Sequence, residues 1–238
     1  MHAVLLAGGK GTRLRPYTAH VPKALLPING VPVIELLIGQ LRDQGVQEYT
    51  VVVGHMAEQI QKQLGSGARL GVEIHYVRET EPLDTAGCLG LFTPSTEPFL
   101  FVNADIMTDF PFLDLAKFHA RLGSVATVAI ARHHVKVDFG VVQCDVEGRM
   151  LGYVEKPSYD LSVSMGIYCL DPRVCDFVTR GERISMPDLL LRLCEAGEVV
   201  RCYRANCYWR DIGRPDDYAQ AKQDLAELPQ RFSVRRAA

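Results

Sequence analysis

The chain has 238 residues, 47% of them apolar and 23% charged, with a formal net charge of −2. That length and apolar content suffice for a full hydrophobic core in one α/β unit. The interleaved acids and bases exclude a polynucleotide partner, which would demand a basic face.

Residues 2–6 form a short apolar run ending at Gly8-Gly9, as expected of a buried strand in a parallel sheet. Val33, Leu36, Leu37 and Leu41 recur at helical spacing, and Gly45 closes that helix. Residues 49–53 read as a β-branched strand, 57–64 as a helix, 72–77 as a strand, 85–92 as a short helix and 99–103 as a strand. This βαβαβαβ order predicts an α/β fold, a doubly wound, mostly parallel sheet of Rossmann-like type.

The second half changes character. Strands are expected at 125–131, 140–146 and 150–154, the last two joined by a hairpin turn at Glu147-Gly148. A strand over 162–170, helices over 172–178 and 187–196, a strand over 199–203 and a helix over 215–228 follow. This half reads as an inserted antiparallel β-hairpin region and an extension of the same sheet. The organisation expected is one domain over 1–228 and a flexible basic tail over 229–238, without room for a hexapeptide-repeat β-helix.

Seven cysteines, scattered from Cys88 to Cys207 with no C-x-x-C pair, offer no zinc spacing and suit a reduced, cytoplasmic compartment. No basic leader precedes the first apolar run and no stretch is long enough to cross a bilayer, so no membrane partner is expected.

The strongest local signal is Leu6-Ala7-Gly8-Gly9-Lys10-Gly11-Thr12-Arg13-Leu14, placed just after the first strand. Ligands of open α/β sheets bind at that carboxyl edge. Three glycines let the backbone approach a ligand and expose N–H groups to anionic oxygens, and Lys10 and Arg13 add positive charge. Neither a Walker A loop nor G-x-G-x-x-G is present. In Pro22-Lys23-Ala24-Leu25-Leu26-Pro27 a lysine lies on stiff backbone, placed to meet a phosphate as a point charge; taken alone it is a surface lysine.

Together these two segments resemble the signature of the sugar-1-phosphate nucleotidylyltransferases, the NDP-sugar pyrophosphorylases. The resemblance continues through Thr85-Ala86-Gly87, Asn103-Ala104-Asp105, Phe139-Gly140, Glu155-Lys156-Pro157, Gly166-Ile167-Tyr168 and Trp209-Arg210-Asp211-Ile212-Gly213-Arg214-Pro215. Met186-Pro187-Asp188-Leu189 and the stretch from Asp211 to Tyr218 are most similar to the mannose-1-phosphate guanylyltransferase branch.

The resemblance implies residue roles. Leu6, Ala7, Gly8 and Gly9 would cup the base and ribose, with Asp84, Thr85 and Gly87 facing the base. Gly11, Thr12 and Arg13 would hold the β- and γ-phosphates. Lys23 would sit near the α-phosphate and the incoming sugar phosphate. Asp105 and Asp211 would bind Mg²⁺, a hard cation suited to carboxylate oxygens. Read singly, Asp105 is also a plausible N-cap and Asp211 a turn residue. Lys156 would bind the phosphate of the sugar phosphate and Glu155 a sugar hydroxyl, and Gly140, Ser164 and Gly166 would border the sugar. Trp209 reads as core packing. The chain departs from the family pattern at Asp84 and Ala104, where glycine is usual, and at Ser164-Met165, where Asn-Ala is frequent.

The expected reaction is transfer of a nucleotidyl group from a nucleoside triphosphate to a sugar 1-phosphate, with GTP favoured and UTP next. Arg13, Lys23, Asp105 and Asp211 are the expected catalytic residues and Mg²⁺ the cofactor; a homodimer is compatible with the sequence. A glycosyltransferase would carry an Asp-x-Asp after a strand, which Asp105-Ile106-Met107 does not supply. A non-catalytic nucleotide-binding subunit should have lost Arg13, Lys23 or an aspartate. A cytidylyltransferase for a non-sugar phosphate fits Glu155 and Gly140 less well.

Overall fold

In the central strands, alternate side chains are buried on opposite faces, the pattern of a sheet covered on both sides. Ala3, Leu5, Val51, Val53, Leu100 and Val102 belong to one core; Val4, Val52, Phe99 and Phe101 belong to another. The computed structural model describes residues 1–91 and 96–232.

The first half comprises β1 (His2–Leu6), a hairpin of β2 (Pro27–Ile28) and β3 (Val31–Pro32), α1 (Val33–Asp43), β4 (Glu48–Val53), α2 (Ala57–Leu64), β5 (Glu73–Arg78), β6 (Phe99–Asn103), β7 (Ile106–Thr108) and α3 (Phe112–Leu122). The second half comprises β8 (Ala126–Lys136), β9 (Val141–Cys144), β10 (Met150–Val154), β11 (Ser158–Leu170), α4 (Met186–Glu195), β12 (Val200–Arg204), β13 (Trp209–Asp211) and α5 (Pro215–Glu227). The main sheet runs β12-β8-β11-β6-β1-β4-β5. β11 lies antiparallel to β6 and β8, and the other neighbours are parallel. The expected mostly parallel α/β sheet is therefore present, and β9 and β10 form the inserted antiparallel ribbon.

Helices α1, α2 and α3 cover the first face through Ile34, Leu37, Ile60, Leu64, Phe112 and Leu115. α4 covers the other through Met186, Leu189 and Leu193. A third cluster joins Leu14, Leu26, Met107, Ile212, Tyr218, Leu225 and Phe232 beneath α5. It lies next to two of the charged motif residues, because Leu14 adjoins Arg13 and Ile212 adjoins Asp211. Each fully buried aliphatic side chain there contributes about 1.5–3 kcal/mol to holding its neighbour in place.

Three expectations need correction. Residues 85–92 do not form an α-helix: Gly87–Leu91 is a 3₁₀ run, and Phe92 lies outside the described residues. Gly87 and Gly90 disfavour an α-helix and instead allow close approach to the backbone of Glu182 and Thr179. Residues 172–178 likewise settle as a 3₁₀ run, Pro172–Phe177, capped where Asp171 accepts the Arg173 N–H. The expected flexible tail does not begin at 229. Pro229–Arg231 form a turn, the Arg231 carbonyl accepts from Gln40 at 2.7 Å, and Phe232 is buried; residues 233–238 lie outside the description. Among the described residues, no helix is long and apolar enough to cross a membrane.

Candidate active site

β1 delivers the glycine loop to the carboxyl edge of the sheet. The Ala7 N–H extends the ladder by donating to the Val52 carbonyl at 2.9 Å, and the chain then leaves the sheet at Gly8. Gly11 adopts φ 60°, in the left-handed region that favours glycine. A Cβ there would stand 2.9 Å from the Thr18 methyl and 3.1 Å from Lys23 Cβ. Thr18 Oγ1 donates to the Gly11 carbonyl at 2.8 Å, which locks the loop against the lysine segment. Thr12–Leu14 and Lys23–Leu25 then form single 3₁₀ turns that carry Arg13 and Lys23, whose charges both act on Asp211.

The two aspartates come together through pairing that spans most of the chain. β13 pairs antiparallel with β7, placing Asp211 opposite Ile106, and the Ile212 N–H donates to the Asp105 carbonyl at 3.0 Å. Lys23 Nζ donates to Asp105 Oδ2 and lies 3.7 Å from Asp211 Oδ1. Burial and, next, the Asp105 charge push the Asp211 carboxyl above the usual carboxylate range, opposed by Lys23 and Arg13. The structure thus brings Arg13, Lys23, Asp105 and Asp211 into one electrostatic group.

Asp105 Oδ1 is buried without a hydrogen-bond partner, an arrangement that costs free energy unless another group uses it. Its hard oxygen, with those of Asp211, fits a divalent cation such as Mg²⁺. Among the described residues no group of three or more His, Cys, Asp or Glu side chains gathers to hold a metal, so a cation here would need substrate oxygens and water as further ligands.

A cavity of about 130 Å³ opens between these parts, lined by Leu6, Ala7, Gly9, Lys23, Ala24, Thr85, Asn103, Ala104 and Asp105. A larger groove, about 1650 Å³, runs between the β2–β3 hairpin, α1 and the end of α5, and none of the motif residues lines it. Lys23 and Asp105 line the small cavity and none of the four charged residues lines the larger groove, so the small cavity is the candidate site.

On the other side of the glycine loop stands Glu79, which the sequence analysis did not single out. Its Oε2 would be 2.8 Å from a Cβ on Gly8, and its Oε1 is buried without a partner. Burial and then the Asp84 charge push its carboxyl up to about 7. Its surroundings in sequence, Arg78-Glu79-Thr80-Glu81, look like a solvated charge run. Asp84 occupies φ 65°, which explains why glycine suits this position; its Oδ1 accepts the Thr85 N–H at 2.9 Å and Oδ2 lies 3.8 Å from Arg183. Thr85 Oγ1 accepts from Met186 N at 2.7 Å, tying this loop to the start of α4. Gly87 is buried, and its missing Cβ leaves room for the Glu182 carbonyl, a packing reason for the glycine.

The expected sugar-side residues fall into two groups. Gly166, at φ 69°, sits in the register shift of β11; a Cβ there would be 2.6 Å from Asn103 Nδ2. Ser164 is beside it, 3.1 Å from the Tyr168 hydroxyl. Gly140 lies under Tyr153, whose hydroxyl donates to Glu155 Oε2 at 2.9 Å, so the space over this glycine is taken by a tyrosine ring. Lys156 is exposed with φ 44°. Among the described residues, no hydrogen bond or ion pair joins Glu155 or Lys156 to Lys23, Asp105 or Asp211. Trp209 is a packing residue, as expected, its indole N–H donating to the Met165 carbonyl at 2.8 Å.

The nucleotidyl transferase family profile matches residues 2–227. The chain is 34% identical to the mannose-1-phosphate guanylyltransferase catalytic subunit beta of Drosophila melanogaster, over 91% of this chain and 60% of that protein. It is 33% identical to a UTP–glucose-1-phosphate uridylyltransferase of Synechocystis, over 93% and 62% respectively. The chain therefore spans about 60% of the length of these curated relatives. Its fold matches that of a putative glucose-1-phosphate thymidylyltransferase from Bacillus anthracis, with TM-score 0.76, 22% identity and 94% of each chain covered. It also matches HddC from Yersinia pseudotuberculosis complexed with GMP-PN, with TM-score 0.72, 25% identity, and 94% and 99% covered. The chain belongs to the nucleotidyl transferase family.

Proposed function

We propose that this protein transfers a guanylyl group from GTP to a hexose 1-phosphate, mannose 1-phosphate first among them, giving an NDP-sugar and pyrophosphate. The observation that carries the reading is the meeting of Arg13, Lys23, Asp105 and Asp211 at the edge of the glycine loop.

A phosphate oxygen of the sugar 1-phosphate attacks the α-phosphorus of the triphosphate; the bond from that phosphorus to the β-phosphate bridging oxygen breaks, and pyrophosphate leaves. A phosphate monoester is anionic near neutral pH, so the attack needs no general base. Catalysis is then positioning and charge neutralisation. The backbone from Leu6 to Gly9 cups the base and ribose, and the Gly11 and Thr12 N–H groups with the Arg13 guanidinium receive the leaving pyrophosphate. Lys23 steadies the α-phosphate and the incoming phosphate. Lys156 binds the phosphate of the sugar 1-phosphate and Glu155 a sugar hydroxyl, Ser164 and Gly166 border the sugar, and Gly140 meets it only if the Tyr153 ring moves aside. Asp105 and Asp211 would hold Mg²⁺, which would supply positive charge where two phosphates otherwise repel.

Glu79 stands against the Gly8 backbone, in the loop that would cup the base, and a carboxylate placed there favours guanine. Among the common bases, guanine presents two adjacent donors, N1–H and the N2 amino group, on its pairing edge. A carboxylate can accept both. Uracil and thymine present one donor between two carbonyls, which a carboxylate opposes.

Mass spectrometry of a reaction with GTP, mannose 1-phosphate and Mg²⁺ tests the proposal. A GDP-hexose product is expected. A product carrying only another base, with GTP inert, would overturn the guanine assignment; no nucleotide sugar with any base and sugar would overturn the activity.

A further inference from the structure

The two aspartates already have a cation. Lys23 Nζ donates to Asp105 Oδ2 and stands 3.7 Å from Asp211 Oδ1, with only 12% of the lysine side chain exposed. Its backbone is fixed on both sides: Pro22 holds an extended φ of −63°, and the Leu26 N–H donates to the Lys23 carbonyl at 3.1 Å. Its stem abuts the Gly11 backbone. Beyond that stem, four methylenes leave the ammonium free to turn between partners on either side.

The same two carboxylates are the ones a divalent cation would take. Asp105 Oδ2 and Asp211 Oδ1 face Lys23, while Asp105 Oδ1 is the buried oxygen without a hydrogen-bond partner. An ammonium and a divalent cation cannot both sit on one carboxylate pair at contact distance, because their mutual repulsion is large where water is partly excluded.

We propose that Lys23 is the built-in competitor of the divalent cation at Asp105 and Asp211, and that it exchanges these carboxylates for phosphate oxygens when a metal–nucleotide complex binds. The proposal rests on the metal reading above and deepens it. Lys23 then grips phosphate only after the aspartates have been taken over. Two anionic substrates and a cation thereby enter a site whose charges stay paired throughout. Metal should bind poorly before nucleotide, since it must displace the ammonium with nowhere favourable for the ammonium to go.

The test is Mn²⁺ binding to nucleotide-free protein, read from the electron paramagnetic resonance signal of free Mn²⁺. Lys23→Met should bind Mn²⁺ at least about tenfold more tightly than the parent, the effect expected of removing one nearby repelling charge. Lys23→Gln, which keeps a hydrogen-bond donor toward Asp105, should show the same gain should the methionine variant fold poorly. Adding Asp105→Asn should abolish the gain in either background. Mn²⁺ should also raise the melting temperature of the lysine variants more than that of the parent.

If the lysine variants bind Mn²⁺ no tighter, while GTP-loaded parent binds it in an Asp105-dependent way, the competition is overturned and the metal site stands. If no form binds Mn²⁺ through Asp105, with or without GTP, the metal reading itself falls and takes the inference with it.

Discussion

Replacing Glu79 by glutamine keeps the side chain's shape and removes its charge, which separates base recognition from packing. The parent carboxylate has one buried oxygen without a partner and the other over Gly8. Paired with the two donors of guanine, it would make hydrogen bonds to a charged group, worth about 1.5–3 kcal/mol. Glutamine turns an amino group toward one of those donors. The expected loss in kcat/KM for GTP is therefore roughly 10- to 150-fold. For UTP the amide can accept from N3–H and donate to a carbonyl, so kcat/KM should hold or rise. Initial rates of pyrophosphate release with each triphosphate, at fixed sugar phosphate, measure the ratio. Stability supplies an internal control. The folded carboxyl is raised from 4.5 to about 7, so the native state holds its proton longer than the unfolded chain does. Its burial costs nothing below about pH 4.5 and the full amount above about pH 7. Because Glu79 is only partly buried, that cost is about 1–2 kcal/mol after allowing for screening. Glu79→Gln should thus be more stable than the parent at pH 8 and equal to it near pH 4.5. Parallel losses with GTP and UTP, or a fall in stability at pH 8, would refute the reasoning.

Other outcomes follow from the same geometry. In the parent, kcat/KM for GTP should fall about tenfold from pH 8 to pH 6 as Glu79 takes up its proton, and the Glu79→Gln variant should lack this dependence; an identical profile in both would contradict the assignment. Asp105→Asn should lower turnover by about 10²–10³ with the fold intact by circular dichroism, and full activity would remove Asp105 from the chemistry. Gly166→Ala forces a Cβ to within 2.6 Å of Asn103 at φ 69°, so denaturant unfolding should show a loss of about 1–3 kcal/mol. An unchanged midpoint would mean the β11 bulge adapts.

Much of the fold was legible because buried parallel strands are short apolar runs and their helices repeat at 3.6. Residues 57–64 and 99–103 match α2 and β6 end to end. Helix α3 escaped notice although Phe112, Leu115 and His119 recur on one face. A histidine fills the third buried position, bonded to Thr127 at 2.8 Å, and Pro111 at the N-cap makes no side-chain hydrogen bond, so the usual signals are weak. β7 and β13 are three residues each and exist only by pairing with one another, about a hundred residues apart, which no local pattern encodes. That pairing is also what joins Asp105 to Asp211. The charged motif residues were legible through their spacing and their resemblance to a family. Glu79 was not, because a buried carboxylate and an exposed one look alike in a run of charges until the glycine loop is folded over it.

The proposed function stands on nucleotidyl transfer at the Arg13, Lys23, Asp105 and Asp211 cluster. Pyrophosphate release with Mg²⁺, across the five common triphosphates and a panel of sugar 1-phosphates, tests it most directly. Release is expected only when both substrates are present, fastest with GTP, and lost in Asp105→Asn. Release from a triphosphate alone, or none from any pair by folded protein that binds nucleotide, would contradict it.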